Sequence, residues 1–105
     1  MNLKKLRTIR AELNSLRARG GVPHREVKAL ARKMGLTIVH SGAHENWGSA
    51  HERFRGLSVF QIPSHPGDLN RFTKNGILDC IERYLERLEE AYEENKAEGE
   101  GEFDG

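Results

Sequence analysis

"GLTIVHSGAHENW", residues 35–47, decides how the rest of the chain is read. Residues 36–39 form a short apolar run after Gly35, which predicts a strand over residues 36–40 and a tight turn at Ser41-Gly42-Ala43. Residues 44–47 then predict a returning strand that opens on His44 and carries Trp47. A strand-turn-strand unit here needs something on its apolar face, and the flanking sequence supplies helices on both sides.

Upstream, Leu3, Leu6, Ile9, Leu13 and Leu16 recur every three or four residues, the stripe of a helix over residues 3–17. Its flanks are basic (Lys4, Lys5, Arg7, Arg10, Arg17), and Gly20-Gly21 ends it. A second helix starts near Pro23, a residue suited to the first helical position. Glu26 sits in its first turn, where a negative charge complements the helix dipole. Val27, Leu30, Ala31 and Met34 form one apolar face, and Gly35 stops the helix. Lys28, Arg32 and Lys33 lie on its polar side.

Downstream, residues 48–53 read as a polar hairpin loop and residues 54–63 as a third strand that Pro63 must end, because proline has no ladder donor. Residues 64–68, "SHPGD", are a turn cluster. A long helix follows from about Thr73, with Ile77, Ile81, Leu85, Leu88 and Tyr92 as its stripe and Gly76 as a weak point. The polar end, "GEGEFDG", is expected to be disordered. The expected fold class is α+β: a small α-β-β-β-α unit with a three-stranded antiparallel sheet and helices on one face. It carries an extra helix in front (residues 1–21) and an acidic extension behind (residues 89–105).

Charge is divided along the chain. Residues 1–81 hold 14 Lys/Arg against 6 Asp/Glu, and residues 82–105 hold 3 against 10. The basic body suits a polyanion such as RNA, and the acidic end suits repulsion or masking of that surface. The terminal helices, one basic and one acidic, are suited to pair within one chain or between two copies as a homodimer. The acidic end is also suited to compete with RNA as a built-in brake.

Other classes are excluded or weak. A lone Cys80 allows no internal disulfide and fits the cytoplasm. No apolar stretch reaches the length of a membrane span, and the first residues lack the apolar core of a signal peptide. Five histidines raise the question of a metal, but their spacing is irregular, with no cysteine pair and no H-E-x-x-H helix. His44-x-Asn46 with His51 gives only a partial likeness to an HNH nuclease. No cofactor or metal is expected.

Four segments, "EVKALARKMGLTIV", "GAHENW", "FQIPSHPGDL" and "FTKNGILDCI", occur in the order and at the spacing found in one family. On them, residues 22–88 resemble the HicA toxins, mRNA-cleaving partners of HicB antitoxins. Two positions depart from the family pattern: Ala43 replaces its serine, and Phe72 replaces the glycine before its helix-opening threonine. The resemblance implies a fold like the double-stranded RNA-binding domain, metal-independent endoribonuclease activity on mRNA, and inhibition by a HicB-like antitoxin. It places the catalytic histidine at His44, which alone follows the turn glycine and precedes the aromatic.

The chemistry is consistent with that placement. Metal-free RNA cleavage uses the substrate's own 2′-hydroxyl, and histidine titrates near working pH, at about 6.5. RNA contacts are expected at Lys28, Arg32, Lys33 and Lys74, with Arg53, Arg55 and Arg71 nearby. Trp47 is expected to offer a stacking face, and His65 to hold phosphate or move a second proton. A non-catalytic RNA-binding module of the same fold is the alternative, and a scaffold acting through its terminal helices is a third reading.

Overall fold

The computed structural model describes residues 2–41, 44–64 and 66–99. Its order is α1 (Leu3–Ala18), β1 (Val22–Pro23), α2 (His24–Lys33), β2 (Thr37–Ser41), β3 (Glu45–Gly48), a 3-10 turn (Glu52–Phe54), β4 (Phe60–Gln61), β5 (Asp68–Leu69) and α3 (Arg71–Gly99). This is an α+β protein with three helices and a three-stranded antiparallel sheet in the order β2-β3-β4. A second, two-stranded ladder joins β1 to β5.

The first helix forms because Asn2 caps it. Its side-chain oxygen accepts the Lys5 amide at 2.8 Å, satisfying one of the donors that a helix start leaves open. The stripe Leu6, Ile9, Leu13 and Leu16 is buried and belongs to one core with α2, the sheet and α3. Around the stripe, Arg10 pairs with Glu82 (2.6 Å) and Glu89 (2.7 Å), and Arg17 pairs with Asp79 and Glu82 (both 2.8 Å). The basic first helix and the acidic last helix therefore meet within one chain. The two carboxylates on Arg10 hold its guanidinium pKa above the ordinary value, against the opposing effect of burial.

Pro23 stands one place earlier than expected: it is the cap of α2 (φ −64°, ψ 145°), and His24 is the first helical residue. The helix ends in a Schellman turn. The Leu36 amide donates to the Ala31 carbonyl (3.1 Å) and the Gly35 amide to the Arg32 carbonyl (2.9 Å). Gly35 sits at φ +87°, a conformation with little cost only for glycine. The chain then enters β2, which pairs with β3 from Thr37↔Gly48 to Ser41↔Glu45, with a bulge at Val39.

The third strand is shorter than the sequence predicts. Of residues 54–63, only Phe60 and Gln61 pair with β3. The cause is competition for backbone groups. His51 accepts the Arg53 amide (3.1 Å) and starts the 3-10 turn. Arg87 of α3 then donates to the Arg53 and Arg55 carbonyls (3.1 and 2.9 Å), and Tyr84 donates to the Ser58 carbonyl (2.9 Å). Two carbonyls of the expected strand, those of Arg55 and Ser58, and the Arg53 carbonyl just before it are thus held by side chains of the helix beneath. Phe54 is buried against Tyr84, with ring centroids 5.0 Å apart.

The last helix begins at Arg71, two residues before the expected start. Asn70 is the reason: its side chain accepts the Thr73 amide and its carbonyl the Lys74 amide, both at 2.8 Å. Ile77, Leu78, Ile81, Tyr84, Leu85 and Leu88 are buried along it. Trp47 and Phe60 are cross-strand partners and share a face of the sheet. Trp47 meets Arg32 of α2, and Phe60 meets Tyr84 of α3, so both helices cover that face. No helix among the described residues is long and apolar enough to cross a membrane. Of the expected disordered end, residues 99–105, Gly99 is the last residue of α3 and residues 100–105 lie outside the described residues.

Candidate nucleic-acid interface

His44, expected to open the second strand, immediately precedes β3 and is exposed; Gly42 and Ala43 before it lie outside the described residues. Asn46 donates to the His44 carbonyl at 3.4 Å. Next to it, Glu45 gathers three parts of the fold. Its carboxylate pairs with Lys28 of α2 (2.9 Å) and accepts the Trp47 indole N–H (3.2 Å), while its carbonyl accepts the Ile62 amide (3.3 Å). Lys28 also donates to the Ser64 hydroxyl. The hydrogen bond from Lys28 holds the Glu45 carboxyl below the ordinary glutamate range, against partial burial, and the Trp47 N–H and the nearby positive charges of Lys28 and His24 act in the same direction.

This placement corrects two expected contacts. Lys28 is buried, and its ammonium is shared between Glu45 and Ser64, so it fixes the residues beside His44 instead of meeting phosphate. Trp47 is 1% exposed, with Arg32 lying 5.2 Å above its ring. It is a core residue with a guanidinium on its outer face, and no base can stack there.

Lys74 is the third correction. It is fully buried, and its ammonium donates to the carbonyls of Leu16 (2.9 Å), Arg17 (3.0 Å) and Arg19. The carbonyls that α1 leaves open at its end have claimed it. Burial pushes its pKa down, and Arg71, Arg17 and Arg19 push the same way. His65 lies outside the described residues.

Arg32 and Lys33 are exposed, as expected. Lys33 is held by Glu12 at 2.6 Å. Together they edge a depression of about 500 Å³ between three elements. The N-terminal end of α1 contributes Asn2 and Lys5, the end of α2 contributes Arg32 and Lys33, and the loop after β3 contributes His51 and Arg53. Arg53 donates through Nε to His51 Nδ1 at 3.2 Å, so the loop holds its own guanidinium in place. No carboxylate lines the depression. The contribution of Lys5 was not legible in the sequence, because nothing in the spacing says that the start of α1 returns to the end of α2.

Among the described residues, no three His, Cys, Asp or Glu side chains gather as metal ligands would. Cys80 is half-buried on α3. No family model, no curated protein and no solved structure matches the chain.

Proposed function

We propose that the chain is a HicA-like endoribonuclease with a double-stranded-RNA-binding-like fold, in which His44 carries the proton transfer. The observation that carries the reading is His44 itself: an exposed imidazole just before β3, next to a Glu45–Lys28–Ser64 cluster that ties β3 to α2 and to the segment after β4. The two helices on one face of a three-stranded antiparallel sheet support the fold part of the proposal.

In the reaction, a 2′-oxygen of the RNA attacks the adjacent phosphorus. The bond from phosphorus to the 5′-oxygen breaks, leaving a 2′,3′-cyclic phosphate and a free 5′-hydroxyl. Neutral His44 takes the 2′-hydroxyl proton, or protonated His44 delivers one to the leaving 5′-oxygen, and water handles the other transfer. One positioned histidine supplies about 10²–10⁴-fold. Such a modest rate suits an enzyme that inactivates a message with one cut. By the same resemblance, the restraining partner would be a HicB-like antitoxin.

The test compares the protein with its His44→Ala variant on long single-stranded RNA in EDTA. Cleavage by the first alone, with cyclic-phosphate ends, is expected. His44 is exposed, so the substitution leaves the core intact. Equal cleavage by both would remove His44 from the chemistry.

A second reading, a module that binds RNA without cutting, is favoured by one observation. The carboxylate-free depression sits at the far end of β3 from His44. Salt-sensitive binding with no cleavage by either protein would select it.

A further inference from the structure

We propose that the depression between α1, α2 and the loop after β3 is a phosphodiester-binding subsite that grips RNA at a distance from His44, through Lys5, Arg32 and Arg53. The proposal rests on the RNA-directed reading above and adds the place where the strand is held.

The first argument is charge. On α1, Arg10 and Arg17 are matched by α3, whereas Lys4, Lys5 and Arg7 have no carboxylate within ion-pair distance among the described residues; Arg19, which caps the helix, is matched by Glu26 at 2.7 Å. Lys5, Arg32 and Arg53 have no carboxylate within ion-pair distance among the described residues, yet they converge on one concavity. Like charges held together repel one another, and a polyanion relieves that repulsion while releasing its own counterions.

The second argument is preorganisation. Arg53 is tied to His51 through both its main-chain amide and its Nε, and the Arg32 guanidinium rests over the Trp47 ring, 5.2 Å from its centroid. Both guanidiniums have lost rotamer freedom before any ligand arrives, which lowers the cost of binding. Asn2 and Ser49 add neutral polar groups at the rim.

The third argument is direction. Helix α2 and strand β3 run side by side, with Lys28 against Glu45 at one end and Arg32 against Trp47 at the other. Exposed Arg25 is seven residues before Arg32 on the same helical face, about 10 Å away at 1.5 Å per residue. From Ser49, at the rim, back to His44 is roughly 17 Å of strand. The cations thus mark a path from the depression, over Arg32 and Arg25, to the exposed histidine. Lys5 brings the additional N-terminal helix into this path.

The experiment measures binding of the full chain to a labelled oligouridylate at about 50 and 200 mM salt, and scores cleavage of long RNA in the same preparations. The variants are Lys5→Glu and Arg53→Glu, alone and combined, with Lys5→Arg and Arg53→Lys as charge-keeping controls and melting curves as the check on folding. Each charge reversal is expected to weaken low-salt binding about tenfold and to reduce the salt slope by about one, with the controls near wild type.

Unchanged affinity and slope in the folded double variant would overturn the subsite while leaving any His44-dependent cleavage standing. Lost binding in the double variant, in a protein that never cuts, would remove the nuclease reading and leave the subsite. Displacement of the RNA by poly-glutamate as readily as by unlabelled RNA would overturn its assignment to a phosphodiester backbone.

Discussion

The ammonium of Lys74 donates to the Leu16 carbonyl at 2.9 Å, joining the start of α3 to the end of α1. With the Arg17 and Arg19 carbonyls, it spends all three of its protons on one helix end. Lys74→Met keeps the apolar stem and strands those carbonyls. The expected loss is about 1–3 kcal/mol, read as a lower urea midpoint with an unchanged m-value. No change in midpoint would mean that water reaches the carbonyls.

The first helix is part of the core, not an appendage. Leu13 is completely buried, and Leu13→Ala is expected to cost about 2–5 kcal/mol. Deleting residues 1–20 should abolish cooperative thermal unfolding, followed by circular dichroism. A truncated protein that melts like the full chain would contradict the packing of α1 on α3.

Gly48 marks a place where the sheet and α3 touch. A β-carbon there would lie 3.0 Å from Val59 Cγ1 and 3.2 Å from Tyr84 Oη. Gly48→Ala is expected to destabilise by about 1–3 kcal/mol, measured by chemical denaturation, because buried Tyr84 cannot withdraw without disturbing its hydrogen bond to Ser58.

Acid should act through Glu45. Its folded pKa is held below the ordinary value of about 4.3, so its contribution to stability is present above that value. The contribution is lost as pH falls through the folded pKa, where the unfolded chain is already protonated. Wild type is therefore expected to exceed Glu45→Gln in urea midpoint at neutral pH, with the gap closing below about pH 4. A gap that stays constant with pH would show that the Lys28 pair contributes nothing.

Much of this fold could be read from apolar spacing alone. All three helices follow from it, as does the β2–β3 unit, because each is long enough for a period to show. The ladder of Val22 and Leu69 could not be read: two residues have no period, and their pairing depends on where α1 and α3 meet. The truncation of the third strand was equally hidden, since it depends on Arg87 and Tyr84 capturing carbonyls more than twenty residues away in sequence. In the candidate site, Arg32 and His44 are exposed as their surroundings implied. Lys28 and Lys74 mislead because a lysine reads as surface until a buried partner is found for it. For Lys28 that partner is a carboxylate, and for Lys74 it is the open end of a helix.

The closure of α1 onto α3 also sets an order of events during synthesis. The partners of Arg10 lie 72 and 79 residues later in the chain. At about 5–20 residues per second, the first helix waits roughly 4–16 seconds for them. Until the last helix leaves the ribosome, the apolar stripe of α1 lacks the cover that α3 supplies, and the helix is held to α2 alone, through contacts such as the Glu12–Lys33 pair. The first helix is therefore fully seated only after α3 has been made.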